Sequence, residues 1–357
     1  MKHWQETTRV LDRAITLGRS GEGSALAVVT GTRGSAYRRP GAKLLIDPQG
    51  GVLGGVSGGC LEEDVRQVGL RVLESGCARL LRYDTGNEET TAWGLGLGCD
   101  GEVELVVLPI SSEAAVGPWT EVRRRLDGDA PLALASFAEE GADGSVWACG
   151  RDGESAGDPG PEIRDAVAAV WSSGRTRVVE AGGRRVLVEC LKPPPKLLIC
   201  GAGEDARPLV SLGAEVGFRV VVVDHRGAHL DPAQLPGAQR LLLLHADEES
   251  KDLPTDSDTW AVVKTHSLKH DLAWVRRLLA TDVPYIGILG PRARTERLVG
   301  DLRAEGDPRV FGPVGLDLGA DGPEQVAVSI VAEMLALRAR RAPTHLRERE
   351  LSVHARD

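Results

Sequence analysis

Apolar residues recur at helical spacing from about Trp4 to Leu17, and a β-rich run from Ala25 to Thr30 follows, ending at Gly31. A polar loop over 31–41 leads to an apolar strand over 42–46. A Pro-Gln-Gly-Gly turn then returns the chain as a strand running into Gly54–Cys60. Leu61, Val65, Val68 and Val72 keep helical spacing until Gly76 stops the element. Strands are predicted over 78–83 and 103–108, with a second glycine-rich loop, 84–102, between them. The stretch 139–183 is rich in Gly, Asp, Glu and Ser; it carries short apolar runs at 146–149 and 167–171 and is the least readable part.

A strand over 185–190 gives way to Leu191-Lys-Pro-Pro-Pro-Lys196, whose prolines favour a stiff, extended connector. Two domains are therefore expected, 1–190 and 197–338, joined by 191–196 and followed by a charged, mobile tail over 339–357. The second opens with an apolar strand, the glycine pattern Gly201-Ala-Gly203-Glu-Asp-Ala206, a helix through Leu209 and Leu212, and a strand over 218–223 that ends in Asp224. Strand, glycines, helix, second strand and terminal acid in that order predict a Rossmann-like parallel sheet, in which the glycines admit a pyrophosphate and the acid bonds a ribose hydroxyl. Further strands are expected over 241–244, 260–263 and 285–289. Asp321 reads as the N-cap of a long apolar helix over 326–337. The fold class is α/β: an N-terminal α/β domain plus a C-terminal Rossmann-like parallel-sheet domain.

Composition narrows the function. Of 357 residues, 42% are hydrophobic and 27% charged, which is ordinary for a globular chain, and the net charge of −9 argues against nonspecific nucleic-acid binding. No apolar run is long enough for a membrane span and no secretory segment opens the chain, so a cytoplasmic location is expected. Six cysteines occur without CxxC spacing, consistent with reduced thiols. Walker A and HExxH motifs are absent.

The most reactive pattern is Gly54-Gly-Val-Ser-Gly58-Gly59-Cys60-Leu-Glu-Glu-Asp64. Backbone bared at glycines can approach a ligand, and a thiol at a helix N-terminus favours its thiolate, which attacks electrophiles and binds soft metals. The plainer account is a tight strand-to-helix turn holding an inert cysteine. Gly58, Gly59, Cys60 and the nearby Arg38 are candidate ligand contacts, and Cys99 in the second glycine loop is a second candidate metal ligand. In the C-terminal half Gly201, Gly203, Ala206, Asp224 and Arg292 are the candidates. His266 and His270 would share a face if their segment were helical, but no third metal ligand is evident.

The glycine-cysteine motif, the second Gly-Cys loop and the Rossmann pattern together resemble the XdhC/CoxI family of accessory proteins for molybdenum hydroxylases. The matching blocks are 31–41, 54–62, 201–226, 264–271, 287–294 and 312–333. The resemblance implies a chaperone that binds the molybdenum cofactor (molybdopterin, in its mononucleotide or dinucleotide form), holds it while a cysteine desulfurase installs the sulfido ligand, and inserts it into an apo molybdenum hydroxylase. Cys60 would then be a transient molybdenum ligand. Glu204, Pro291 and Asp100 depart from the residues common in that family. The competing reading is an NAD(P)-dependent oxidoreductase with Cys60 as catalytic thiol; a nucleotide-sensing regulator is a third. The sequence leaves oligomeric state open, a homodimer included.

Overall fold

The computed structural model describes residues 2–34, 37–84, 101–128, 130–248 and 253–348. Cys99 and Asp100, with most of the second glycine loop, lie outside them. The chain divides into two compact units, Met1–Pro193 and Pro194–Asp357.

The N-terminal unit begins with α1 (Lys2–Arg19), β1 (Ser24–Gly34), β2 (Lys43–Ile46), β3 (Val52–Gly54), α2 (Glu62–Ser75), β4 (Arg79–Asp84) and β5 (Gly101–Ile110). These strands form an antiparallel sheet in the order β3-β2-β1-β5-β4. After α3 (Ser112–Val116) and α4 (Pro118–Arg125) come β6 (Leu132–Phe137), β7 (Val146–Gly150), β8 (Ser155–Ala156), α5 (Pro161–Ser173), β9 (Arg177–Ala181) and β10 (Arg184–Leu191). They make a second antiparallel sheet, β8-β7-β6-β10-β9. The apolar run at 167–171 is thus the second half of α5, held by Ile163, Val167 and Val170 against Ala133, Val186 and Val188.

Side-chain alternation along β1 sorts the core into layers. Ala25, Ala27 and Val29 face Val65, Val68 and Val72 of α2. Leu26 and Val28 face Leu11 and Ile15 of α1, in a cluster that extends to Leu134 and Leu187 of the second sheet.

The C-terminal unit contains β11 (Lys196–Cys200), α6 (Arg207–Glu215), β12 (Arg219–Asp224), β13 (Ala238–Leu243), β14 (Thr259–Val263), α7 (Leu268–Leu279), β15 (Tyr285–Ile288), α8 (Arg292–Leu302), β16 (Val310–Phe311) and α9 (Gly322–Ala339). All its strand pairs are parallel, in the order β13-β12-β11-β14-β15-β16. Numbered within the unit this is 3-2-1-4-5-6, the Rossmann order, whose ligand crevice opens between the first and fourth strands, here β11 and β14. Helices α6 and α9 cover one face and α7 and α8 the other.

Candidate functional site

In the N-terminal unit the register gathers the flagged loops at one end of the first sheet. Gly34 pairs with Gly101, Asp84 with Glu102, Val28 with Lys43 and Leu44 with Gly54. The chain after β1, the chain after β3, and the ends of β4 and β5 that bracket residues 85–100 therefore share one edge. Gly54 can only be glycine: its φ is 102°, and a Cβ would stand 2.3 Å from the Lys43 carbonyl oxygen.

The loop from 55 to 61 is held from inside. The Glu62 carboxylate accepts the amides of Val56 and Ser57, at 3.2 and 2.9 Å, and the Ser57 hydroxyl. Ser57 Oγ in turn accepts the amides of Gly59 and Leu61, at 3.2 and 3.1 Å. Burial works to raise the Glu62 pKa, but the Ser57 hydroxyl and these amides outweigh it and hold the group ionised. The amides of Gly58 and Cys60 stand outside this network. Cys60 itself is half-buried, next to the N-cap Leu61 of α2. The Tyr37 ring, 72% exposed, covers Gly58, where a Cβ would lie 3.4 Å from it. This leaves an accessible thiol beside two uncommitted amides and an aromatic face.

Other thiols differ. Burial raises Cys149, Cys190 and Cys200 above the ordinary thiol range, keeping them protonated, and Cys77 is exposed beyond the far end of α2. Arg38 is engaged by Glu6: its terminal nitrogen lies 2.6 Å from both carboxylate oxygens of that residue on α1. A cavity of about 640 Å³ opens between strand stretches 30–33, 82–84 and 102–104. Glu104 projects there, held by Thr30, Arg82 and Arg185 at 3.1, 2.8 and 2.5 Å.

In the C-terminal unit three aspartates tie the strand ends together. Asp224 is 2% exposed; its carboxylate accepts the Ala202 amide at 2.7 Å and binds the Arg226 guanidinium at 2.9 and 3.0 Å. Burial would raise its pKa, but Arg226 and the Ala202 and Arg226 amides depress it far below the carboxylate range. A ribose hydroxyl would have to compete with all of these. Asp271, fully buried, accepts the Thr265 amide and hydroxyl at 3.0 and 2.6 Å and pairs with Arg294. Asp205 receives Lys264 Nζ at 2.8 Å and His266 Nε2 at 3.0 Å on one oxygen, Oδ2.

The histidine pair does not share a helical face. His266 precedes α7 with φ of 60° and turns to Asp205, while His270 lies on α7 with its ring 4.3 Å from that of His225. Among the described residues, no three His, Cys, Asp or Glu side chains are grouped to hold a metal ion. Gly201, Gly203 and Ala206 form the strand-to-helix turn. Arg292 is exposed in the first turn of α8, after its N-cap Pro291. Sequence reading missed Ser57, Glu62, Tyr37, Asp205 and Lys264; only Lys264, a charge directly ending an apolar strand, carried a local signal.

Residues 17–84 match the XdhC and CoxI family and residues 197–334 the XdhC Rossmann domain. A probable xanthine dehydrogenase subunit of Bacillus subtilis (strain 168) is 32% identical over 320 residues, covering 89% of this chain and 94% of that protein. The chain belongs to the XdhC and CoxI family. The molybdenum cofactor insertion chaperone PaoD of Escherichia coli (strain K12) is 25% identical over 337 residues, 92% of this chain and 88% of that one. A crystal structure described as a xanthine dehydrogenase from Bacillus halodurans superposes with a TM-score of 0.76 at 26% identity, covering 94% and 97% of the two chains. In this XdhC and CoxI chain Glu204 faces solvent, with its side chain 90% exposed.

Proposed function

We propose that the protein is a molybdenum cofactor maturation factor. It binds the cofactor as cargo at the Cys60 edge of its N-terminal unit, supports sulfuration by a cysteine desulfurase, and inserts the cofactor into an apo molybdenum hydroxylase of the xanthine dehydrogenase type. The observation that carries this reading is the accessible Cys60 thiol beside the free amides of Gly58 and Cys60 and the Tyr37 ring. A thiolate is a soft donor suited to molybdenum, and one that is only half-buried can release it again. The flat Tyr37 ring offers a stacking face to a pterin, and the two amides can bond its anionic groups. Near-full-length kinship to PaoD supports the same role. Reduced, unpaired thiols suit a cytoplasmic location.

The NAD(P) oxidoreductase reading loses its main support, because Asp224 is occupied by Arg226 and Ala202. The test is reconstitution: apo-hydroxylase, molybdopterin and a sulfur donor, with and without this protein. Activity should recover faster and further in its presence. Equal recovery without it would refute the role.

A further inference from the structure

In a Rossmann turn the second glycine is bare so that a diphosphate can approach the backbone. Here that glycine is Gly203, and the space over it is taken by the chain's own carboxylate: a Cβ on Gly203 would meet Asp205 Oδ1 at 2.7 Å and His266 Nε2 at 3.8 Å. The same carboxylate gathers an ion pair and a hydrogen bond on its other oxygen. Lys264 Nζ lies 2.8 Å and His266 Nε2 3.0 Å from Oδ2. Lys264 is 3% exposed. Burying an ammonium is costly unless an anion accompanies it, so the crevice is built to hold a negative group at this point.

Asp205 is well placed to leave. Its side chain is 26% exposed, whereas that of Lys264 is 2% exposed and cannot follow it into water. His266 has φ of 60°, a backbone uncommon outside glycine, and its Nε2 stands 3.8 Å from where a Gly203 Cβ would lie. Asp205 therefore has the charge, the two donors and the place over Gly203 that a diphosphate oxygen would have.

We propose that Asp205 is an internal stand-in for a diphosphate, and that a diphosphate ester enters the β11–β14 crevice by displacing its carboxylate from Lys264 and His266. This rests on the sequence expectation that the glycine turn after β11 admits a pyrophosphate, and adds that the chain lowers its own affinity for it. The donors are Lys264 and His266, and no covalent step is involved. The ionised state of Asp205 agrees: burial works to raise its pKa, but Lys264 and His266 outweigh that and lower it.

The experiment is calorimetric titration of inorganic pyrophosphate into the full chain. Asp205→Asn, close in shape, should bind about tenfold tighter than wild type, and Asp205→Ser likewise. Adding Lys264→Gln to Asp205→Asn should remove the gain. Unchanged or weaker binding by both Asp205 variants would overturn the proposal. Should these variants not fold, wild-type protein decides the matter: the His266 imidazole NMR resonance should move with pyrophosphate and not with chloride at equal ionic strength. No movement overturns it. Parallel titrations with NAD+ and GDP identify which diphosphate source fits the displaced site. Molybdopterin retention at Cys60 is measured separately, so failure here and failure of the cofactor reading are distinguishable.

Discussion

Lys43, which opens β2, and Glu189, in β10, form an ion pair whose side chains are 1% and 6% exposed, joining the two antiparallel sheets of the N-terminal unit. The same ammonium donates to the Gly41 carbonyl at 3.1 Å, so the pair also anchors the end of the loop that carries Arg38 and Tyr37.

Removing one member of a buried pair leaves a charge without a partner, at a cost of about 3–5 kcal/mol. Lys43→Met should therefore lower stability by about that much in urea unfolding, and Lys43→Met with Glu189→Leu should recover most of the loss. A double variant no more stable than Lys43→Met alone would show that the pair is not what joins the sheets.

His3 sits close by. Burial, and then the Lys43 charge, lower its pKa from 6.5 to about 4. Between those values the unfolded chain binds a proton that the folded chain refuses, so stability rises with pH. The contribution is fully present above about 6.5 and is lost as pH falls toward 4. Urea midpoints should drop between pH 7 and pH 5, and His3→Gln should flatten that drop. Parallel pH profiles for variant and wild type would contradict the assignment.

Asp224 is expected to be architectural. Hydrogen bonds to a charged group contribute about 1.5–3 kcal/mol, and Asp224→Ala removes those from Ala202 and Arg226 while leaving the glycine turn untied. Thermal unfolding of the C-terminal unit should shift downward without any ligand present. Unaltered stability together with lost nucleotide binding would return Asp224 to the role of a ribose contact.

The Rossmann half was legible because its signals are local: one strand, one glycine turn, one helix and a terminal acid read in order from Lys196 to Asp224. The Asp205–Lys264–His266 cluster was not, because residues about sixty positions apart meet only when parallel pairing sets β14 beside β11. In the N-terminal half Cys60 and its glycines stood out, but the Ser57–Glu62 network is side-chain geometry that leaves no periodic trace. Residues 139–183 were obscure for another reason: β7, β8 and β9 are at most five residues long, too short for alternation to emerge, and α5 interrupts them between β8 and β9.

The central claim rests on Cys60, and the most direct measurement is the molybdopterin and molybdenum retained by purified Cys60→Ser, Cys77→Ser and wild-type protein. Cys60→Ser is a small change at a half-buried position and should fold normally, yet an alkoxide is a harder and scarcer ligand at neutral pH. Retained cofactor should fall about tenfold or more in Cys60→Ser and stay at the wild-type level in Cys77→Ser. Equal retention in all three proteins would reduce Cys60 to a turn residue and contradict the account.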